Sequence, residues 1–210
     1  MQSAKIVFFD VGGVLIDADL ERYISIGCAL FQTSPEALKR EVSLRVPDLE
    51  RGRITSDIFW KQVGESLWRT GEGRPAPAGA CHGLWGNLLK STITIDPKVK
   101  RICELLIEAG TRIGILSNVI SEHASVLAEL GLYTPFEVCV LSCRTGLRKP
   151  DKEIYEFAAK SASLAPSQCL FVDDVAVNAE AARRAGMDAV VFSNAEMLCM
   201  ELLNRKLLHL

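Results

Sequence analysis

The sequence predicts an α/β fold: a doubly wound, Rossmann-like parallel sheet with strand order 3-2-1-4-5 and an inserted helical cap. Three observations carry this. From Asp96 onward, short apolar runs alternate with stretches of helical spacing, as in βαβ units joined by right-handed crossovers. Near the N-terminus, Ile6, Val7, Phe8 and Phe9 read as a strand buried on both faces, which ends in Asp10. Between these regions the chain has helical periodicity and little strand character. The predicted division is a core of residues 1–16 and 91–210 and a helical cap of residues 17–90.

The first stretch, KIVFFDVGGVLID, organises the rest. A carboxylate is costly inside a dry sheet, so Asp10 must emerge where its strand stops. In open parallel sheets that edge binds ligands. Asp and Gly are also ordinary turn residues, and this stretch alone leaves both readings open.

In the cap, Leu20, Tyr23, Ile24, Gly27 and Leu30 fall on one helix face. Ser34-Pro35-Glu36 starts a second helix, with Ser34 as N-cap and Pro35 in the first turn. Thr55-Ser56-Asp57 starts a third, carrying Ile58, Phe59, Val63, Leu67 and Trp68. The segment GEGRPAPAG is a loop, and a fourth helix runs through Leu84, Leu88 and Leu89. In the core, Asp96-Pro97 starts a helix that stops near Gly110. Strands are predicted at 112–116, 136–141, 169–172 and 189–192. Helices from about Ser121, Asp151 and Asn178 connect them, and Asn194 caps the last helix.

At 210 residues the chain is long enough for one good-sized domain with an insertion. Its 49% hydrophobic and 24% charged residues are those of a globular protein. A net charge of −2 implies no general attraction to nucleic acid or an anionic membrane. The N-terminal residues do not read as a basic stretch followed by an apolar core, and no apolar run is long enough to span a bilayer. Seven cysteines without paired spacing sit mostly in apolar segments, and Cys103, Cys139 and Cys169 read as core thiols of a reducing compartment. Cys139 and Cys143 are four apart, but zinc needs two further ligands, and the histidines are His82, His123 and His209. The expectation is a cytoplasmic protein without nucleic-acid or membrane partners. Oligomeric state leaves no signal.

The chemistry converges on strand ends. The first, second and fourth strands end in Asp10, in Ser117-Asn118 and in Asp173-Asp174. In the predicted order, strands 1 and 4 are neighbours, so Asp10 faces Asp173 and Asp174 across one crevice. Three carboxylates repel one another unless a cation joins them, and an all-oxygen set favours Mg²⁺. Asp-Asp after a strand is also an N-cap signal, which leaves one carboxylate a capping role. Lys149, in the RKP loop, reads either as a solvated lysine, with Arg148 the more solvent-facing of the two, or as the cation balancing that pocket. Ser117 and Asn118 are either ordinary caps or a hydroxyl and backbone N–H groups offered to an anion.

With these residues placed, the chain resembles the haloacid-dehalogenase-like hydrolase superfamily over essentially its whole length. FFDVGGVL matches the first motif, ILSN the second, the lysine of RKP the third and FVDD the fourth. The GLRKPDKEIY and AARRAGM stretches are similar to the capped phosphatase branch, including the phosphatase domain of soluble epoxide hydrolases. The resemblance implies that Asp10 is phosphorylated, and that Ser117 and Lys149 hold the phosphate with Asn118 beside them. Mg²⁺ is then bound by Asp10, the Gly12 carbonyl and Asp174, with Asp173 as the partner of Asp174. The family's phosphatases usually carry a second aspartate two residues after the nucleophile, where this chain has Gly12. Lost acid assistance is typically worth about 10²–10⁴-fold, most for an alkoxide leaving group. Water, a substrate hydroxyl or Asp17 can substitute, although Asp17 also suits a hinge into the cap.

The reading is a Mg²⁺-dependent phosphatase acting on a small phosphorylated metabolite, with sugar phosphates among the candidates. Two rivals stand beside it. One is a 2-haloacid dehalogenase using the same Asp10 without metal, against which the Asp173-Asp174 pair argues. The other is a non-catalytic phospho-accepting or binding protein, for which this chain is long. Arg22, Tyr23, His82 and Trp85 are cap residues that either face the pocket or belong to cap core and surface.

Overall fold

The computed structural model describes residues 4–208, and His209 lies outside the described residues. Its central strand is β1 (Ile6–Phe9), fully buried at every residue. Strand alternation sends Val7 and Phe9 into one apolar cluster with Ile113, Ile115, Leu170 and Val172. Ile6 and Phe8 enter a second cluster with Leu116 and Phe171 on the other face. Two cores, one on each face, explain why this run shows no polar alternation.

Parallel to β1 lie β4 (Arg112–Ser117) on one side and β6 (Cys169–Asp173) on the other. With β5 (Val138–Leu141) and β7 (Asp188–Val191) outside them, the five-stranded order is β5-β4-β1-β6-β7. This is the predicted 3-2-1-4-5 order. Phe9 is level with Ile115 and with Val172, so the chain leaves all three central strands at nearly one height. The polar residues that follow therefore meet at one edge.

The connecting helices are α5 (Pro97–Glu108), α6 (Ser121–Glu129), α8 (Lys152–Ser161), α9 (Ala176–Arg184) and α10 (Ala195–Asn204). Asp96 and Asn194 cap α5 and α10 as predicted, through bonds from Lys98 N–H and Met197 N–H, both of 2.8 Å. The polar loop after β5 contains one helical turn, α7 (Ser142–Thr145), which the sequence reading left as loop. The strand predicted at 136–141 begins only at Val138, because Phe136 turns into the core against Phe9.

Four helices intervene between the first and second core strands: α1 (Leu20–Phe31), α2 (Pro35–Glu50), α3 (Ser56–Thr70) and α4 (Leu84–Thr92). Ser34 and Thr55 cap α2 and α3, accepting from Ala37 N–H and Ile58 N–H. Their shared core is built on Phe31, Leu38, Phe59, Trp60, Val63 and Leu67. Three predicted face residues are exposed instead: Leu20, Ile58 and Trp68. Ile58 and Trp68 sit one residue, or about 100° of helix, outside the stripe set by Phe59, Val63 and Leu67. The sequence reading also missed a two-stranded ribbon, in which β2 (Ile16–Asp17) pairs antiparallel with β3 (Thr94–Ile95). Strands of two residues show no period, so only the folded chain reveals that both crossings into the helical segment are zipped together. Among the described residues, no helix is long and apolar enough to cross a membrane.

Candidate active site

Asp10 sits one residue beyond β1, where its N–H still bonds the Val172 carbonyl at 2.8 Å. Its Oδ1 accepts from Val11 N–H at 2.7 Å. Asp173, the last residue of β6, is fully buried. Between them lies Lys149, only 1% exposed, with Nζ 2.9 Å from Asp10 Oδ2 and 2.6 Å from Asp173 Oδ2. A lysine this buried requires partners, and here it has two. Of the two readings of Lys149, the solvated loop lysine is excluded and the balancing cation remains. Arg148 is the more open of the pair and is itself engaged, by Glu50 at the end of α2.

Asp173 is saturated. Besides Lys149, it accepts from Val175 N–H at 2.8 Å and from Asn178 Nδ2 at 3.1 and 3.2 Å. The Val175 bond is an Asx turn leading into α9, whose N-cap is Val175 itself, so Asp173 turns the chain toward the helix while it pairs with Lys149. Asp174 is exposed and faces the glycine turn: a Cβ built on Gly13, whose φ is +72°, would lie 2.3 Å from Asp174 Oδ2. Gly12 is exposed, and a Cβ built there would meet nothing within 4 Å.

The electrostatics follow. Burial raises the Asp10 carboxyl to about 6, against the attraction of Lys149 and with the repulsion of Asp173. Partial desolvation, and then the charge of Asp173, also raise Asp174. One lysine faces three carboxylates, which leaves surplus negative charge. Oxygen atoms of Asp10, Asp173 and Asp174 lie within 4.8 Å of one another, a donor set that suits a hard divalent cation such as Mg²⁺.

Ser117 ends β4 and is buried, and its hydroxyl makes one long contact of 3.5 Å, to the Asn118 carbonyl. The Asn118 side chain grips Lys149: Nδ2 donates to its carbonyl at 3.0 Å, and Oδ1 accepts from its N–H at 2.9 Å. The second proton of Nδ2 stays available as a donor beside the main chain of Asn118.

A cavity of about 490 Å³ opens beside Gly12, Gly13, Ser117, Asn118 and Asp174. Of the four cap residues singled out in the sequence, Tyr23 and Trp85 line it, whereas Arg22 and His82 do not. His82 is exposed beside Asp57. The sequence reading missed His123, which lines the cavity edge-on to Tyr23 and Trp85. Its Nε2 lies 3.2 Å from the Trp85 carbonyl and must donate, and burial pushes the imidazole down to about 4. Asn178 was also missed as a site residue. Its signal was available: an amide five residues after the strand-end acid, in the first turn of the next helix.

The family profile of haloacid dehalogenase-like hydrolases matches residues 4–186. The chain belongs to this family. It is 32% identical over 194 residues to the candidate phosphatase YhcW of Bacillus subtilis (strain 168), covering 90% of this chain and 84% of that one. It is 25% identical over 189 residues to D-ribitol-5-phosphate phosphatase of Bacteroides thetaiotaomicron, covering 88% and 89%. The fold is similar to that of a haloacid-dehalogenase-family enzyme of Bacteroides thetaiotaomicron crystallised with magnesium and inorganic phosphate. That match has a TM-score of 0.70 at 23% identity and covers 90% of this hydrolase and 94% of the other chain.

Proposed function

We propose that this hydrolase is a Mg²⁺-dependent phosphatase that cleaves a small phosphate monoester through phosphorylation of Asp10. The observation that carries the reading is the buried Lys149 ammonium between Asp10 and Asp173, with Asp174 completing three carboxylates at the ends of adjacent strands. A dehalogenase has no use for a third acid there. The phosphatase names among the relatives point the same way.

Asp10, the Gly12 carbonyl and Asp174 would hold Mg²⁺, while Asp173 positions Lys149. Bound there, the ion supplies neutralisation of the carboxylates and of the phosphoryl oxygens. Val11 N–H fixes Oδ1 of Asp10, and Lys149 fixes Oδ2, so the carboxylate is presented in a set rotation. An Asp10 oxygen attacks phosphorus, and the bond from phosphorus to the leaving oxygen breaks. Lys149 and the Ser117 hydroxyl steady the transferring oxygens, as phosphoryl transfer demands more positioning than covalent help. Water then attacks the aspartyl phosphate, releasing phosphate and restoring Asp10. The segment 17–90 acts as a cap over this site, with residues 1–16 and 91–210 as the core. Seven free cysteines suit a reducing, cytoplasmic setting.

Hydrolysis of p-nitrophenyl phosphate with Mg²⁺ and with EDTA, for wild type and Asp10→Asn, tests this. Turnover lost in both EDTA and the variant is expected. Turnover that survives Asp10→Asn would overturn the assignment of the nucleophile.

A further inference from the structure

We infer that the phosphatase selects an apolar phosphate monoester whose leaving oxygen is stabilised by conjugation, an aryl phosphate, rather than the phosphate of a polyol or sugar. This rests on the phosphatase reading and adds a substrate class to it. Two independent features of the cavity point there.

The first is its wall. Away from the strand ends, the cavity is lined by the rings of Tyr23, Trp85 and His123 and by Leu20, Leu89 and Leu127. The Tyr23 and Trp85 rings are 5.6 Å apart, and His123 meets them edge-on at 6.2 and 5.8 Å, so the three form one continuous aromatic surface. The one N–H of the neutral His123 ring is already committed to the Trp85 carbonyl, which leaves only the Nδ1 acceptor. No lysine or arginine is among the described residues lining the cavity; its ionisable carboxylates are Asp17 and Asp174. A polyol would lose several water hydrogen bonds here and regain few, which is costly. A flat apolar group buries its surface and stacks.

The second feature is Gly12. In this reading it lies beside the leaving oxygen and carries no proton donor, although the space for one is open. The cleavage then proceeds as follows: Asp10 bonds to phosphorus, and the P–O bond breaks with its electron pair on the leaving oxygen. That oxygen departs as a phenolate and takes its proton from water. Conjugation makes such a departure easy without an acid, whereas an alkoxide suffers most. Wall and leaving group thus select the same chemistry. The aromatic surface next to Asp17 also raises a cationic alcohol such as choline, but its phosphate leaves as an unassisted alkoxide.

The experiment is a four-way comparison of kcat/KM with Mg²⁺. The substrates are 1-naphthyl phosphate (apolar, good leaving group), cyclohexylmethyl phosphate (apolar, poor), acetyl phosphate (polar, good) and ribitol 5-phosphate (polar, poor), with choline phosphate beside them. Naphthyl phosphate is expected to exceed ribitol 5-phosphate by at least about 100-fold, and each of the two intermediate cases by about tenfold. Ribitol 5-phosphate or choline phosphate at or above naphthyl phosphate overturns the inference while leaving the phosphatase intact. No turnover of any ester or of acetyl phosphate overturns both. Leu20→Asp, at a residue 71% exposed and therefore tolerant of substitution, is expected to cut the naphthyl-to-ribitol ratio about tenfold, mainly through the KM for naphthyl phosphate. An unchanged ratio in that variant removes the wall from the argument.

Discussion

Gly13 packs against the carboxylate of Asp174 so tightly that a Cβ on the glycine would stand 2.3 Å from Oδ2. At φ +72° the position also favours glycine on backbone grounds. Gly13→Ala is therefore expected to strain the turn by roughly 1–2 kcal/mol and to push Asp174 off its present position. If Asp174 is a ligand, Mg²⁺ affinity falls about 10–100-fold, as when the supports of a ligand are removed. Calorimetric titration of Mg²⁺ into the variant checks this. A lowered Tm with unchanged affinity would take Asp174 out of the metal site.

The parts of this architecture that repeat were legible, and the parts that depend on one approach in space were not. The strands were visible as apolar runs such as 6–9 and 169–172, whose burial on both faces leaves a composition signal, and their order came with the doubly wound fold class. Strand-end acids were equally visible, because a carboxylate has few reasons to follow such a run. The burial of Lys149 was not visible, since a loop lysine looks the same in sequence whether it is solvated or clamped between two aspartates. His123 sits on a mixed polar and apolar helix with nothing local to single it out, and its place in the cavity depends on where α4 brings Trp85. The ribbon of Ile16–Asp17 with Thr94–Ile95 joins segments far apart in the chain, too short for either to announce the other.

Asn118 clasps the main chain of Lys149 through both ends of its amide. Asn118→Ala removes both bonds; the Lys149 carbonyl keeps the Arg148 Nη1 donor at 3.0 Å, but its partly buried N–H is left to find a new partner, a cost of about 1–3 kcal/mol. Lys149 would then lose its fixed height above Asp10. The expected kinetic result is a fall in kcat of about 10–100-fold with little change in KM, because positioning is lost and the aromatic wall of the cavity is not touched. Steady-state kinetics alongside a thermal melt separate the two effects. A pure rise in KM would instead make Asn118 a substrate contact.

Ionised Asp10 is costly in the metal-free protein, because burial raises its carboxyl to about 6 from 3.8. The sign follows from linkage: a folded-state pKa above the unfolded one means a contribution that is full below about pH 4 and lost as pH rises through 6. Asp10→Asn does not titrate, so its stability relative to wild type should climb between about pH 4 and 6 and then level off, by on the order of 3 kcal/mol. Denaturant melts in EDTA across that range read the difference directly. Mg²⁺ should remove the trend by stabilising the ionised form in wild type. A difference that is flat with pH would mean that Asp10 is not strained by burial.

Gly12 offers a gain rather than a loss. Its φ lies outside the left-handed region and its built Cβ meets nothing, so Gly12→Asp should be tolerated without backbone strain. In the proposed site the new carboxyl stands beside the leaving oxygen, where a proton donor typically contributes about 10²–10⁴-fold to the departure of an alkoxide. A phenolate needs far less help. The added negative charge beside Asp10 and Asp174 works against this gain by repulsion, to a degree common to all substrates. The expected signature is therefore a ratio: kcat/KM for cyclohexylmethyl phosphate relative to naphthyl phosphate should rise by about 10–100-fold. Comparing the two rates in a single preparation cancels any change in folded fraction or metal occupancy. An unchanged ratio in a folded variant would show that the leaving group in this hydrolase lies away from residue 12, or receives its proton from another donor.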